Sequence, residues 1–122
     1  MNAKIIIQTL QKKYPGKTIL KNDEKTPTEI ICEIEPNKNH LDYSIALVVA
    51  DKSIPHYHKK TTEEYKVIKG KLKVFKGKKS FVLKENQSII IEPGVVHYVE
   101  GDETWFFTTS YPGWTLEDHI VI

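Results

Sequence analysis

The first part of the chain has the hydrophobic periodicity of a helix. Within residues 3–14, apolar side chains recur at three- and four-residue intervals: Ile6, Ile7, Leu10 and Tyr14. This spacing places them on one face of an amphipathic helix. Asn2 is a suitable N-cap, and Pro15-Gly16 ends the helix. We expect this helix to cover an outer face of a sheet.

After residue 17 the pattern changes to the two-residue alternation of β-strands. It predicts strands at 18–20, 28–35, 43–50, 63–69, 71–76, 80–83, 88–91, 95–99 and 104–110, with 119–122 as a candidate last strand. Gly77-Lys78-Lys79 and Gly101-Asp102-Glu103 have the composition of hairpin turns. Many short strands separated by turns are typical of an all-β sandwich or barrel.

Length and composition indicate a single domain spanning residues 1–122. The chain is 39% hydrophobic, which is enough for one buried core. No apolar run approaches the ~20 residues of a membrane span, and the N-terminus lacks the features of a secretory signal. The single cysteine, Cys32, excludes an internal disulfide and is expected to be a buried hydrophobe. We therefore expect a cytoplasmic protein with no membrane partner.

The charge distribution does not indicate a nucleic-acid partner. The net charge is +2, and the 18 basic residues are spread along the chain, whereas nucleic-acid binders concentrate them in a patch. All 18 are lysine, so the rigid two-point clamp that arginine forms on phosphate or carboxylate is absent. An anionic substrate would have to be held by lysine, backbone N–H groups or a metal.

His56 and His58 are the first candidate metal ligands. On an extended segment, side chains two residues apart point to the same face, with Cα atoms roughly 6.5–7 Å apart. That separation lets two imidazoles converge on one metal at about 2.0–2.1 Å each. A carboxylate, Glu63, follows five residues later.

A third histidine follows a turn further along the chain. The predicted strand at 88–91 runs into Pro93-Gly94, and His97 comes three residues after the glycine. The turn redirects the chain, so His97 can point inward at the start of the next strand.

These two segments resemble the two motifs of the cupin superfamily, in particular its small conserved-barrel members of cupin 2 type. The first is His56-x-His58, four residues, Glu63, six residues and Gly70; the second is Pro-Gly-x-x-His at 93–97. The resemblance covers residues 43–110. It implies a double-stranded β-helix, that is a jelly-roll barrel, on which residues 1–16 pack as a short helix.

The resemblance also implies the metal site. The ligands carried over are His56, His58, Glu63 and His97, holding one divalent transition-metal ion, with Mn, Fe, Ni, Co, Cu and Zn all compatible. Four ligands would leave two positions of an octahedron for water or substrate. The chain departs from the family pattern at turns and strand ends, where it has Ala50, Asn86, Glu92 and Gly101, but no departure removes a ligand.

The neighbouring residues leave alternatives open. Glu64 is an alternative ligand, but Glu63 shares its strand face with Tyr65 and Val67, which is the more apolar face. His40 and His119 are expected to be ordinary surface or core residues. Trp114 is expected to pack over a barrel end.

Tyr65 and Phe107 are the candidate substrate contacts. Tyr65 lies two residues from Glu63 on the same predicted face, and Phe107 belongs to the alternating aromatic run Trp105-Phe106-Phe107. No side chain is assigned as catalytic.

The functional expectation is a metal-dependent enzyme acting on an oxygen-rich small molecule, with sugar-phosphate-isomerase-like, dioxygenase or decarboxylase chemistry. The alternative is a non-catalytic metal-dependent module that binds or senses a small molecule. Such cupins usually carry a DNA-binding helix-turn-helix, for which one helix is too little. Family analogy further implies a homodimer.

Overall fold

The computed structural model describes all 122 residues. One helix is followed by ten strands along the chain. The elements are α1 (Ala3–Lys13), β1 (Thr18–Lys21), β2 (Glu29–Glu35), β3 (Ser44–Lys52), β4 (His56–Tyr57), β5 (Thr62–Lys69), β6 (Leu72–Lys76), β7 (Lys79–Leu83), β8 (Ser88–Ile91), β9 (His97–Tyr111) and β10 (Ile120–Val121). The structure contains no helix with the length and apolar character needed to cross a membrane.

All ten strands form one antiparallel sheet that curls around β9. The order β1-β2-β3-β9-β4-β10 forms one path, and β5 and β6 also pair with β9, carrying β8 and β7 beside them. Because β9 has neighbours on both of its edges along its length, the sheet folds onto itself as a jelly-roll barrel. The predicted all-β fold is confirmed.

The helix α1 forms and packs for local reasons that the sequence contains. The Asn2 side chain accepts a hydrogen bond from the backbone N–H of Ile5 at 3.2 Å, which caps the first turn. Ile6 and Leu10 are buried against an outer face of the sheet, in a cluster that includes Ile30 and Cys32. Cys32 is a buried free thiol, as expected.

The predicted hairpin at residues 101–103 is wrong, because this segment is a bulge inside the continuous strand β9. Glu100 pairs with Lys52 and Thr104 pairs with Ala50, so three residues of β9 lie opposite a single residue of β3. A Cβ on Gly101 would lie only 2.5 Å from Thr104 Oγ1. Glycine is therefore needed here for close packing at a bend in the strand. Amino-acid composition alone does not distinguish such a bulge from a hairpin turn.

The bulge divides β9 between two neighbours. Its first residues, from His97 to Gly101, pair with β6, and the residues from Trp105 to Tyr111 pair with β5. The barrel interior between these strands holds the larger apolar cluster, which includes Val48, Tyr65 and Phe106. The candidate metal ligands lie at one end of this interior.

Candidate metal centre

Three strands and one loop bring the four predicted ligands together. His56 begins β4 and lies opposite His97, the first residue of β9. Glu63 is the second residue of β5, and His58 lies in the loop between β4 and β5. All four are buried, with at most 7% of each residue exposed. One ligand atom from each side chain lies within 4.8 Å of all the others.

Glu63 and Glu64 point to opposite faces of β5, and only Glu63 reaches the cluster. Glu63 points into the barrel, where its carboxylate lies 3.1 Å from His58 Nε2 and 3.0 Å from His97 Nε2. Glu64 lies on the opposite face of β5, beside Lys66 and Phe107. The alternation of β5 therefore leaves Glu63 as the carboxylate of the cluster.

The three histidines share one hydrogen-bonding arrangement. Nδ1 of His56 lies 2.8 Å from the carbonyl oxygen of Ile54, and Nδ1 of His97 lies 2.9 Å from that of Val95. Nδ1 of His58 lies 2.8 Å from the carbonyl oxygen of Asp118. A carbonyl oxygen can only accept, so each Nδ1 must carry a proton and donate it. In the neutral rings, each Nε2 is then left with a lone pair and no proton.

This arrangement creates a conflict that a cation resolves. The lone pairs of His58 Nε2 and His97 Nε2 face the same Glu63 oxygen, Oε1, at hydrogen-bond distance. Acceptors facing one another in a buried site repel unless a proton or a metal ion lies between them. His58 Nε2 is also a buried polar atom without a hydrogen-bond partner. The donor set therefore fits a divalent transition metal.

The electrostatics favour a neutral His56 and an ionised Glu63, which are the protonation states that metal ligands need. Burial, followed by repulsion from His97, lowers the pKa of His56 to about 3, so His56 is neutral at pH 7. Burial opposes charge on Glu63, but contacts with His58 and His97 outweigh it and hold the pKa of Glu63 well below its usual range. Burial likewise opposes charge on His58, yet Glu63 raises the pKa of His58. When no cation is bound, the Glu63 carboxylate thus favours the protonated form of His58.

A cavity of about 390 Å³ opens beside the cluster and reaches His56 and Glu63. Tyr65 lines it and donates a hydrogen bond from its hydroxyl to Glu63 Oε1 at 3.2 Å. Phe106 packs against Tyr65 with the ring centroids 5.1 Å apart and forms part of the same wall. The cavity therefore connects the candidate ligands to the outside through a mixed apolar and polar wall.

The predicted placement of Phe107 is wrong. Phe107 lies on the outer face of β9, in the cluster under α1, whereas Phe106 faces the cavity. The aromatic run alternates between the two faces of β9, and the run alone does not tell which of its residues points inward. The bulge at residues 101–103 shifts the alternation of β9, and after it the even-numbered Phe106 points inward. Phe106 is the aromatic residue of this run that lies near the site.

Sequence reasoning missed His119 and assigned Trp114 only a packing role. The ring of His119 stacks on that of His56, with centroids 4.2 Å apart and planes 19° apart. The indole Nε1–H of Trp114 donates to His119 Nδ1 at 3.2 Å, and both residues line the cavity. No spacing rule relates them to the motifs, because the C-terminal segment reaches the site through tertiary contacts. His40, in contrast, lies apart, stacked on Tyr43 and 3.2 Å from Glu35.

Comparison with known proteins gives one sequence relative of limited coverage. A 67-residue stretch is 30% identical to mannose-1-phosphate guanylyltransferase RfbM of Salmonella typhimurium. The match covers 55% of this chain but only 14% of that enzyme. The likeness therefore concerns one segment of a much longer protein.

Solved structures share the fold at low sequence identity. A variant of Streptomyces PAC13 with uridine superposes with a TM-score of 0.77 at 10% identity, covering 89% of this chain and 87% of that one. PAC13 is described as a nucleoside dehydratase. A cupin-like protein from Thermotoga maritima gives a TM-score of 0.66 at 20% identity, covering 75% and 76% of the two chains.

A family model provides the assignment. The model for the cupin domain matches residues 45–108, which include all four candidate ligands and more than half of the chain. On this match, and on the fold and motif geometry described above, the chain belongs to the cupin family.

Proposed function

We propose that the chain binds one divalent transition-metal ion through His56, His58, Glu63 and His97 and acts as an enzyme on an oxygen-bearing small molecule in the adjoining cavity. A metal ion of this kind polarises ligand oxygen atoms and so favours isomerisation, elimination or decarboxylation. The four side chains would hold it, and the cavity would hold the substrate beside them.

One observation carries this proposal. Each of the three histidines donates its Nδ1 proton to a backbone carbonyl, which leaves each Nε2 available as a ligand. Histidines that ligate metals typically donate their other ring N–H in this way, which fixes the ring orientation. His58 Nε2 and His97 Nε2 both face the buried carboxylate of Glu63, and a ligand atom of His56 lies within 4.8 Å of the other three.

The cavity supports the small-molecule part of the proposal. Its volume of about 390 Å³ is within the usual range for small-ligand pockets. The hydroxyls of Ser44, Thr108 and Ser110 lie in its wall beside the ring of Phe106. Such a wall combines an apolar surface for a ring with hydrogen-bonding groups for hydroxyls. The uridine bound to the PAC13 variant is a molecule of this kind, and we propose a sugar- or nucleoside-like substrate here.

Two residues of the chain would organise the reaction site. Tyr65 donates its hydroxyl proton to Glu63 and, because burial and then the Glu63 charge raise its pKa, it stays protonated at neutral pH. It therefore orients the carboxylate ligand and presents its phenol oxygen to the cavity. His119 accepts from Trp114 through Nδ1, so its Nε2 carries the proton and can donate to a bound oxygen.

Metal analysis tests the ligand assignment. Protein purified without chelator should carry about one transition-metal ion per chain by elemental analysis, and His58→Ala should lose most of it. His40→Ala is the matched control, because His40 contacts Glu35 and Tyr43 and does not belong to the ligand cluster. Full metal occupancy in His58→Ala would refute the assignment.

Turnover separates an enzyme from a binding module. Metal-loaded and metal-free protein should be incubated with sugars and nucleosides and the products followed by NMR. Metal-dependent product formation is expected. Metal-dependent binding without any product would instead favour a binding or sensing role. The homodimer implied by family analogy remains a prediction, which light scattering on the purified protein can test.

A further inference from the structure

The strand β2 has its polar and apolar faces inverted relative to an ordinary barrel strand. Its apolar residues Ile30 and Cys32 are fully buried on the outer face, beneath α1. Its inward face carries Glu29, Ile31 and Glu33, which line the cavity beside the candidate metal ligands. An interior face normally holds apolar side chains, so two carboxylates at these positions need an explanation.

Neither carboxylate has a partner within the protein. Glu29 and Glu33 form no ion pair and no side-chain hydrogen bond, whereas Glu35, nearer the mouth, bonds to His40 at 3.2 Å. A partly buried carboxylate without a partner is costly. Consistent with this cost, burial and then the Glu63 charge raise the pKa of Glu29 to about 7. Both groups thus retain unused acceptor capacity that faces the cavity.

The cavity wall is also strongly unbalanced in charge. Its lysine and carboxylate residues are one lysine, Lys38, and five glutamates: Glu29, Glu33, Glu35, Glu63 and Glu117. Lys38 is exposed, and the chain contains no arginine. Lys59 and Lys60, which flank the ligand loop, are exposed and do not line the cavity. No cationic side chain is placed to hold a phosphate inside.

We propose that Glu29 and Glu33 determine substrate specificity: they accept hydrogen bonds from an uncharged or cationic, hydroxyl- or amine-bearing ligand and exclude phosphorylated or carboxylated ones. The proposal rests on the proposed function, since it concerns the substrate class of the same site. The site itself is defined independently, by the four-ligand cluster and the unpartnered His58 Nε2. The carboxylates of β2 decide only which ligands it accepts. A sugar phosphate is therefore excluded as substrate, and the corresponding free sugar or nucleoside is favoured.

Inorganic phosphate bound to the Co²⁺-loaded protein gives a test that needs no knowledge of the substrate. Phosphate would be titrated at pH 8, above the pKa of about 7 of Glu29, and followed by the visible Co²⁺ absorption. The Glu29→Gln/Glu33→Gln variant should bind phosphate roughly tenfold more tightly than the wild type, because two repulsive charges are gone. Glu64→Gln, on the outer face of β5, is the matched control and should behave as the wild type. Equal phosphate affinity in the double variant and the wild type would overturn the proposal.

Matched ligand pairs provide a second test. Saturation-transfer NMR on the metal-loaded wild type should show binding of uridine and ribose in preference to uridine 5′-monophosphate and ribose 5-phosphate. The double variant should lose at least part of this discrimination. Preference of the wild type for either phosphate, or binding of no probe, would overturn the proposal.

The Co²⁺ spectrum distinguishes this failure from failure of the proposed function. If the wild type takes up no Co²⁺, or if His58→Ala takes it up equally well, the metal site is refuted. If Co²⁺ binds through the four ligands but phosphorylated probes are preferred, only the specificity proposal fails.

Discussion

The backbone carbonyl oxygen of Asp118 accepts a hydrogen bond from His58 Nδ1 at 2.8 Å, although the two residues are 60 positions apart. The Asp118 carboxylate accepts three more, from the backbone N–H groups of Lys59, Lys60 and Thr61, at 2.8–3.3 Å. One residue of the C-terminal segment thus orients the His58 ring and also holds the loop that carries it.

We therefore predict that Asp118→Ala weakens metal binding by about tenfold, within the range found for groups that orient metal ligands. The substitution keeps the carbonyl but removes the carboxylate that fixes the 59–61 loop, so His58 becomes less well placed. Competition between the protein and a chromophoric chelator for Co²⁺ measures the change. Asp102→Ala, at an exposed position that does not line the cavity, should leave the affinity unchanged. Equal affinity of Asp118→Ala and wild type would show that the loop is held by other contacts.

Metal removal should lower the stability of the protein. An ion that binds only the folded state adds RT ln(1 + [L]/Kd) to the free energy of unfolding, about 2.7 kcal/mol at a hundredfold excess over Kd. Addition of a chelator should therefore lower the thermal midpoint of the wild type. The midpoint of His58→Ala should not respond to chelator, because that variant has lost a ligand. A wild-type midpoint that is independent of chelator would contradict the prediction.

The tautomers of the buried histidines give a spectroscopic prediction. In the metal-free protein near pH 7, His56 should be the neutral Nδ1–H tautomer, because Nδ1 faces the Ile54 carbonyl. His119 should be the neutral Nε2–H tautomer, because its Nδ1 accepts from Trp114. Burial and then His58 lower the pKa of His119, which favours its neutral form.

Long-range ¹H–¹⁵N correlation spectra distinguish the two tautomers directly. In Trp114→Phe, which removes the indole donor, the His119 signals should shift toward a mixture of tautomers while those of His56 stay unchanged. An Nδ1–H tautomer at His119 in the wild type would contradict the predicted contact.

Much of this architecture follows from local sequence patterns. The alternation of apolar and polar residues located β5 and β8 to within one residue, because a half-buried strand exposes one face and buries the other. The same alternation placed Glu63 and Tyr65 on the inward face, where the structure has them buried. The resemblance of the two motifs to the cupin pattern implied the four candidate ligands as one set, and the structure places one ligand atom of each within 4.8 Å of the others.

The errors arise where distant parts of the chain meet. The Gly101–Glu103 bulge depends on the neighbouring Asp51, whose side chain accepts from the Glu103 backbone N–H at 2.8 Å. His119 reaches His56 only because the C-terminal segment folds back over the site. The carboxylates of β2 formed a visible polar face in the sequence, but alternation alone does not say which face of a strand is inside.

The half-buried position of Glu29 leads to a prediction about pH. Folding raises the pKa of Glu29 from its ordinary 4.5 to about 7, first through burial and then through repulsion by Glu63. Between these values the folded protein binds more protons than the unfolded chain, so the free energy of unfolding falls as pH rises. Below pH 4.5 Glu29 does not destabilise the folded state, and above pH 7 its full destabilising effect persists.

Replacement of Glu29 by Gln removes the pH-dependent destabilisation that the ionised carboxylate causes. Between pH 4.5 and 7.5 the metal-free Glu29→Gln variant should gain roughly 1–3 kcal/mol of stability relative to the wild type. Urea denaturation of both proteins at a series of pH values measures the difference, with Glu64→Gln on the outer face as the control that should follow the wild type. A constant difference between Glu29→Gln and wild type across this range would mean that the cavity solvates the Glu29 carboxylate fully. In that case the inward carboxylate of Glu29 would cost the fold nothing, and its presence there would no longer call for a ligand.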